Sequence, residues 1–317
     1  VRARWPHARV LTNGGNCRSN DINWVHSVHH AWPPSDKDAP AWFKAKNRFA
    51  YALACRRERR AIRAARFVVA NSERTRRDLI EHLGISPERV RVIYLGSDAK
   101  QHQPPTPRER RSARARLGVV DGRPLIVFVG ALGHDQNKGF DTLWRAWKIV
   151  SARAGWDADL VVAGAGRGLK RWRERIAAED LGGRVRLIGF TERIGEVYAA
   201  ADLLVSPARY EAYGLNVHEA VCRGVPALAS RTAGVAELYT PELSEMLLPD
   251  AEDYADLAAR LLRWRGEVEE WKASFAPLSA KLRARGWDEV AAEIISFVEH
   301  ESHATQGDAA YVVSCTA

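Results

Sequence analysis

The stretch that decides the fold reads Ser206-Pro207-Ala208-Arg209-Tyr210-Glu211-Ala212-Tyr213-Gly214-Leu215-Asn216-Val217-His218-Glu219-Ala220. An apolar run predicts a strand over 203–206, and the residues after Gly214 predict a helix over 215–223. The first turn of a helix has free backbone amides, and Gly214 lets an anion approach them closely. Glu211 in the loop and Glu219 about one turn into the helix can accept hydrogen bonds from sugar hydroxyls. The alternative is that one glutamate is an ordinary acidic residue at a helix start and that the other is a solvated surface residue.

The same alternation of strand and helix extends over most of the second half of the chain. Strands are predicted over 125–129, 159–163, 185–188, 203–206 and 226–229, and helices over 140–153, 169–179, 194–200 and 215–223. The strands are unbroken apolar runs, which is typical of a parallel sheet covered on both faces. The sequence therefore predicts a doubly wound α/β domain, whose ligands bind at the carboxyl ends of the strands.

The first half of the chain shows a less regular version of this pattern. We expect strands over 21–29, 66–70 and 90–94, with helices over 41–65 and 73–83. The run Pro104-Pro105-Thr106-Pro107 then disfavours both helix and central strand, which predicts a domain boundary after residue 103. The end of the chain, 252–301, is predicted to be helical, with Trp264, Trp271 and Trp287 as large core residues.

Further loops of the second half carry glycines at the ends of strands. Gly130-Ala131-Leu132-Gly133 follows one strand, and Asn137-Lys138-Gly139 then opens a helix. Backbone amides at such a helix start, together with the charge of Lys138, favour the binding of a phosphate. Gly164 lies in the loop after the next strand, where we expect it to approach the edge of a nucleotide.

The order of these elements resembles the C-terminal domain of the family 4 glycosyltransferases, the glycosyl transferases group 1 set. The resemblance rests on an E-x7-E pattern at Glu211 and Glu219, on Lys138-Gly139, and on the segments 224–230 and 234–237. In the first half, 68–72 and 92–98 are similar to a strand end and a linker of that family, and Gly286-Trp287 is similar to its crossover segment. The resemblance covers about residues 20 to 300.

This resemblance implies the GT-B fold, which consists of two Rossmann-like, doubly wound α/β domains. It implies a partial acceptor-side domain over 1–103, a nucleotide-sugar-binding domain over 104–285, and a crossover helix with a tail over 286–317. In this family the N-terminal domain usually starts with a strand and a glycine-rich loop, but the only glycine turn before Asp21 is Gly14-Gly15, with too little chain before it for such a start. The chain also does not begin with methionine, since its only methionine is Met246. We therefore expect the N-terminal domain to be incomplete.

The resemblance also implies a retaining transferase that moves a sugar from a nucleoside diphosphate to an acceptor hydroxyl. The donor-binding residues that it implies are Lys138, Gly133, Gly164, Gly214, Leu215, Asn216 and Glu219. Lys138 would neutralise the diphosphate, Glu219 would accept the ribose hydroxyls, and Glu211 would act as a catalytic residue near the reacting carbon. We expect neither a metal ion nor a cofactor, since lysine and amides can stabilise the departing phosphate.

Two positions depart from the pattern of the family. Its members usually have an arginine where this chain has Ala131, and Asn137 occupies a position where a basic residue is frequent. A second cation for the phosphate must therefore come from another part of the chain. The alternative function is a degenerate or truncated protein that binds a nucleotide sugar without turning it over. A sugar-nucleotide epimerase, a phosphorylase and a nucleic-acid-binding protein are more distant alternatives.

Three histidines come close together in Trp24-Val25-His26-Ser27-Val28-His29-His30, at the end of a predicted strand. Family members often carry a histidine at a comparable strand end, facing the donor sugar. The resemblance implies that His29 is a second catalytic residue, with His26 as the next choice. The alternatives are a zinc site made by the three histidines, and structural histidines packed on Trp24 or Trp32.

The amino-acid composition and the net charge indicate which class of protein this is and which partners we expect it to bind. With 46% apolar and 27% charged residues, no long apolar run and no signal peptide, we expect a cytoplasmic globular protein with four reduced cysteines. The net charge of +9 comes mainly from arginine. In clusters such as Arg56-Arg57-Glu58-Arg59-Arg60 the interleaved glutamate favours a solvated helix face and disfavours a nucleic-acid partner. The alternative is peripheral attraction to a membrane that carries a lipid-linked acceptor; a glycan is the other acceptor class we expect.

Overall fold

The computed structural model of the chain describes residues 8–33, 39–119, 122–179 and 183–303. The chain divides into two compact units, one of Val1–Gly96 with Gly286–Ala317 and one of Ser97–Arg285. The predicted tail beyond residue 303, with Cys315, lies outside the described residues. In the part of the chain that is described, no helix is long and apolar enough to cross a lipid bilayer.

The elements follow one another in largely alternating order. The strands are β1 (Leu11–Asn13), β2 (Ile22–Val25), β3 (Phe67–Ala70), β4 (Val90–Val92), β5 (Leu125–Val129), β6 (Asp159–Ala163), β7 (Val185–Gly189), β8 (Leu203–Ser206), β9 (Ala227–Ser230) and β10 (Leu247–Leu248). The helices are α1 (Ala41–Ala64), α2 (Glu73–Leu83), α3 (Pro107–Arg116), α4 (Phe140–Ser151), α5 (Leu169–Ala178), α6 (Ile194–Ala200), α7 (Leu215–Cys222), α8 (Tyr254–Gly266), α9 (Val268–Ala284) and α10 (Trp287–His303).

The first unit contains a parallel sheet of four strands in the order β1-β2-β3-β4. Successive residues of a strand point to opposite faces, so β3 contributes to two cores. Val68 and Ala70 pack with residues of α1 and α2, whereas Phe67 and Val69 pack with residues of α10. Helices therefore cover both faces of this sheet, as a parallel sheet requires.

The predicted strand over 21–29 is wrong at its end, because β2 stops at Val25. Its neighbour β3 stops at Ala70, which is the partner of Val25, so the chain beyond has no strand to pair with. The side chain of Asn71 instead donates a hydrogen bond to the carbonyl of His26, and His29–Ala31 forms a single helical turn. The short strand β1 is absent from the sequence-based prediction.

The second unit contains a six-stranded parallel sheet in the order β10-β9-β8-β5-β6-β7. The chain proceeds from β5 outward to β7 and then returns to β8 on the other side of β5. This order is that of a doubly wound sheet, and it confirms the predicted fold class. Trp264 and Trp271 are buried as expected, but Trp287 is 45% exposed and contacts Trp24 with its ring edge, so it is not a core residue.

Residues 97–103 lie with the second unit, ahead of the predicted boundary after residue 103. The amide of Ser97 donates to the carbonyl of Arg285 at 2.8 Å, and the guanidinium of Arg223 donates to the carbonyl of Gln101 at 2.7 Å. These bonds attach the connecting segment to the second unit before the proline run begins.

Candidate active site

The reversal of strand order in the second sheet lies between β5 and β8. At such a point the loops that follow the two strands diverge, and they leave a crevice at the carboxyl edge of the sheet. The loop after β5 leads to Lys138, and the loop after β8 carries Glu211. Two of the predicted site residues therefore come from the two loops that border this point.

Lys138 and Glu211 form an ion pair. The Nζ atom of Lys138 donates to Oε2 of Glu211 at 2.5 Å, and the two side chains are 31% and 15% exposed. The predicted phosphate-binding cation is thus in direct contact with the predicted sugar-binding carboxylate. An ammonium group that contacts a carboxylate is partly neutralised, so an incoming phosphate would compete with Glu211 for Lys138.

Hydrogen bonds hold the Glu211 loop on both sides. Asn137 accepts from the amide of Arg209 with its backbone carbonyl and from the amide of Tyr210 with its side chain, at 2.8 and 2.9 Å. On the other side, the amide of Gly234 donates to the carbonyl of Glu211 at 3.1 Å. The departure from the family pattern at Asn137 thus puts a loop-organising amide in this position.

Arg209 is a residue of this site that the sequence did not single out. Its guanidinium donates to both carboxylate oxygens of Asp141, at 2.9 and 2.7 Å, and to Glu252 at 2.7 Å. These carboxylates neutralise it, so Arg209 connects the loop after β8 to α4 and does not supply the missing second cation. The one local sign of an acidic partner for Arg209 is that Asp141 lies in the first turn of α4, a helix that follows a strand and a loop.

Two glycines allow the loops to pack against each other's backbone. Gly139 has a φ of +72°, and a Cβ atom there would overlap the carbonyl oxygen of Pro207. A Cβ atom at Gly164 would overlap the carbonyl oxygen of Gly130 in the same way. Gly164 is therefore needed for contact between two loops, which is a structural reason for glycine at this position.

The start of α7 presents the amides that were predicted to bind an anion. Gly214, with a φ of +113°, precedes the helix, and the amides of Leu215 and Asn216 belong to its first turn, where a helix has no internal acceptors for them. The side chain of Asn216 donates to the carbonyl of Val129 at 2.9 Å and to the hydroxyl of Ser206 at 3.2 Å. Asn216 thus fixes the helix start against the ends of both β5 and β8.

Glu219 lies one turn into α7 and is mostly buried. Its Oε2 atom accepts a hydrogen bond from the hydroxyl of Tyr198 at 3.0 Å. Burial raises the pKa of the Glu219 carboxyl, and the bond from Tyr198 opposes part of that rise. Tyr198, itself buried on α6, is a second partner that sequence reasoning missed, because nothing in the local pattern connects it to α7.

In the first unit, His29 and His30 both bind one buried carboxylate. Glu58 of α1 is 1% exposed; its Oε1 accepts from the backbone amide and Nδ1 of His29, at 2.9 and 2.8 Å, and its Oε2 accepts from Nδ1 of His30 at 2.9 Å. Since a carboxylate only accepts, both rings carry a proton on Nδ1. The side chain of His29 is half exposed, and its Nε2 is left as the available ring atom.

The other histidine has a different environment. The ring of His26 packs against Trp24 with centroids 4.6 Å apart, and burial lowers the pKa of His26. This contact is the one that the structural alternative expects of His26. Among the described residues, no group of three histidine, cysteine or acidic side chains is arranged to hold a metal ion.

Two family models match successive parts of the chain. The Glycosyltransferase Family 4 model matches residues 4–101, and the Glycosyl transferases group 1 model matches residues 123–264. Among curated proteins, the chain is similar to a D-inositol 3-phosphate glycosyltransferase of Nocardia farcinica, with 33% identity over 65% of this chain and 47% of the relative. The chain spans about half the length of the curated relatives it matches.

Solved structures show the same fold. Anabaena HepE in complex with UDP and glucose has a TM-score of 0.69, with 21% identity over 88% of this chain and 71% of that protein. Sucrose-phosphate synthase of Thermosynechococcus elongatus has a TM-score of 0.73, with 21% identity over 96% of this chain and 76% of that protein. The two family matches and the shared architecture together show that this chain belongs to the family 4, group 1 glycosyltransferases with the GT-B fold.

Proposed function

We propose that the protein transfers a sugar from a nucleoside diphosphate to an acceptor hydroxyl, with retention of the anomeric configuration. The observation that carries the proposal is the contact of Lys138 with Glu211 at the strand-order reversal, beside the amides that open α7. The family supports a nucleotide-sugar donor, and HepE, which has the same fold, was solved with UDP and glucose.

The chemistry follows from the charge that develops at the donor. When the sugar leaves, the nucleoside diphosphate gains negative charge, so groups that are already in place stabilise the transition state more than the ground state. Lys138 and the amides of Leu215 and Asn216 would supply that stabilisation without a metal ion. As Lys138 turns to the phosphate, the Glu211 carboxylate is released to accept a hydrogen bond from the donor sugar.

Glu219 and His29 complete the proposed assignment. Glu219 would accept hydrogen bonds from the ribose hydroxyls. These bonds would replace part of the hydration that its carboxylate loses on burial. His29 would present Nε2 to a reacting or bound group, since Glu58 occupies Nδ1. We assign Gly133 to the phosphate-facing loop that also carries Lys138. We assign to Gly164 a packing role, since it lies against the backbone of that loop at Gly130.

The test is a transfer assay on the full chain with UDP-, GDP- and ADP-sugars. Proton NMR of the product gives the anomeric configuration, and calorimetry gives the affinity of each nucleotide. We expect one nucleotide class to bind and to support transfer with retention, and Lys138→Ala to weaken both. The matched control is Lys170→Ala, since Lys170 pairs with Glu174 on an exposed helix face. Nucleotide binding without any turnover would support a non-catalytic binder instead.

We also propose that the protein contacts membranes peripherally through α1. Trp42, Phe49 and Leu53 are 65%, 75% and 39% exposed, and their spacing of seven and four residues places them on one helix face. Exposed Lys46 lies on the same face. Aromatic and aliphatic side chains beside cations are typical of helices that lie in the interface of an anionic bilayer.

Vesicle co-sedimentation tests this contact. Trp42→Ser combined with Phe49→Ser should abolish binding to anionic vesicles and leave nucleotide affinity unchanged. Phe190→Ser is the matched control, because Phe190 is also 75% exposed but lies in the second unit. Equal binding of all three proteins would contradict the assignment to α1.

A further inference from the structure

We infer that a cavity in the first unit binds a phosphate group carried by the acceptor, through Arg18, Arg57 and Arg60. The cavity has a volume of about 540 Å³. Its walls are the loop 15–18 that follows β1, His29 beyond the end of β2, and the last turns of α1. The loop 15–18 and His29 follow the ends of β1 and β2, so they begin at the carboxyl edge of a parallel sheet, where the ligands of α/β proteins bind.

Among the residues that the structure describes, the lining of this cavity is basic and includes no carboxylate. Arg18, Arg57 and Arg60 are exposed, and within the described residues none of them forms an ion pair. Glu58 lies next to Arg57 in the sequence, but it is buried and both of its oxygens are bound by His29 and His30. In the described part of the chain, no carboxylate of the cavity lining compensates the charge of these three arginines.

Three guanidinium groups around one cavity repel one another, and an anion that lies between them offsets this repulsion. Arginine donates in a planar fork that matches two oxygens of a phosphate, and such charge-assisted bonds are stronger than neutral ones. A phosphate monoester carries about two negative charges at neutral pH and would offset most of this repulsion. Two arginines of the second unit, by contrast, have acidic partners: Arg209 pairs with Asp141 and Arg265 pairs with Asp157.

The wall formed by the loop is packed closely against α1. A Cβ atom at Gly15 would lie 3.0 Å from the Cα atom of Glu58, so a larger residue at this position would push the loop and the helix slightly apart. The close packing places Arg18 on the same cavity as Arg57 and Arg60. The arrangement of the three arginines thus depends on backbone packing as well as on flexible side chains.

This cavity belongs to the first unit, whereas Lys138 and the start of α7, which would hold the donor phosphates, belong to the second. The identification of the ligand as an acceptor rests on the proposed transferase function; the phosphate site itself does not. A phosphorylated polyol and a phospholipid headgroup both offer the required group, and they differ in whether the phosphate arrives free or in a membrane.

Cys17 provides a direct measurement, because it lines the cavity and is exposed, whereas Cys55 and Cys222 are buried. The rate at which iodoacetamide alkylates Cys17 in the full chain is followed by peptide mass spectrometry. We expect inorganic phosphate and inositol phosphate to slow alkylation, and uncharged inositol to have no effect. If only vesicles that contain phosphatidylinositol protect Cys17, and phosphatidylcholine vesicles do not, the phosphate is carried by a lipid.

Variants separate a site from diffuse attraction. Arg57→Gln and Arg60→Gln should each raise the half-protecting phosphate concentration about tenfold, since each removes a charge-assisted hydrogen bond. Arg56→Gln removes the same charge from the same helix but not from the cavity lining, and should change it little. An equal effect of all three variants, or no protection by any phosphate probe or vesicle, would overturn the inference. Protection without any sugar transfer would count against the proposed function alone.

Discussion

The ammonium group of Lys138 lies 2.5 Å from a carboxylate oxygen of Glu211, although the two residues are 73 positions apart in the sequence. One belongs to the loop after β5 and the other to the loop after β8, so the contact joins the two loops that border the reversal of strand order. A phosphate can reach Lys138 fully only if this ion pair opens. Under the proposed function, the pair would therefore couple the binding of the donor phosphate to the release of Glu211.

Replacing Glu211 should separate binding from turnover. In Glu211→Ala, Lys138 loses its competing carboxylate, so we expect the nucleoside diphosphate to bind as tightly as in wild type or a few-fold more tightly. We expect the transfer rate to fall about a hundredfold, since one electrostatic group near the reacting centre is lost. Calorimetry and initial rates measure the two effects. Glu174→Ala, at an exposed pair, should change neither, and weaker nucleotide binding in Glu211→Ala would contradict this account.

Glu219 should reduce stability at neutral pH in exchange for binding. Its pKa is raised by burial, so the folded protein holds this proton more tightly than the unfolded chain. Stability from this group is greatest below the unfolded pKa and is lost as the pH rises through the folded pKa. Glu219→Gln should therefore have a higher Tm than wild type at neutral pH, a difference that shrinks in acid, and a weaker nucleotide affinity. A Tm below that of wild type at neutral pH would count against this explanation.

Glu58 should control the titration of His29. The hydrogen bond that His29 donates to Glu58 raises the pKa of His29 despite partial burial. Burial works to raise the pKa of Glu58, but the bonds donated by His29 and His30 outweigh this effect, and the pKa of Glu58 is lowered. Their interaction is thus strongest between these two pKa values, at mildly acidic pH, and weakens as His29 deprotonates above its folded pKa.

In Glu58→Gln we expect the pKa of His29 to fall, as measured by NMR titration of its ring. The loss of Tm should be larger at mildly acidic than at alkaline pH. Glu81→Gln, at an exposed position of α2, is the control and should show neither change. An unchanged titration of His29 would mean that Glu58 only packs beside the ring.

Gly139 should be intolerant of any side chain. Gly155→Ala serves as its control, because Gly155 also has a positive φ, +82°, but has open space around its Cα atom. The control should lose about 1 kcal/mol from backbone strain. Gly139→Ala adds an overlap with Pro207, so we expect a clearly larger loss of unfolding free energy and weaker nucleotide binding. Equal losses in chemical denaturation would show that the loops yield without cost.

Sequence patterns were sufficient for the regular part of the fold. The strands β5 to β9 of the second sheet are four or five mostly apolar residues between glycines and polar turns, and β5, β6 and β8 begin and end where the pattern predicts. The boundary of β2 could not be found in this way. Its end is set by the length of β3, which is a neighbour in space and not in sequence.

The candidate site shows the same division between local and distant information. The sequence indicates Glu211, Glu219 and Lys138 as candidates because each lies near a strand end or a helix start that is visible locally. Arg209, Tyr198 and Glu58 are not indicated in this way, because their roles depend on a partner on another element: Asp141, Glu219 and His29. Which distant polar partner a side chain contacts depends on the folded chain, and the local sequence pattern does not show it.

The position of α10 has a consequence for synthesis. Val290, Ile294 and Val298 cover one face of the first sheet, yet the ribosome makes them after the whole of the second unit. The second unit can therefore fold during translation while the first still exposes Phe67 and Val69. A ribosome that stalls before residue 286 would leave a nascent chain whose first sheet has one uncovered apolar face. We expect chaperones to bind this face in preference to the second unit.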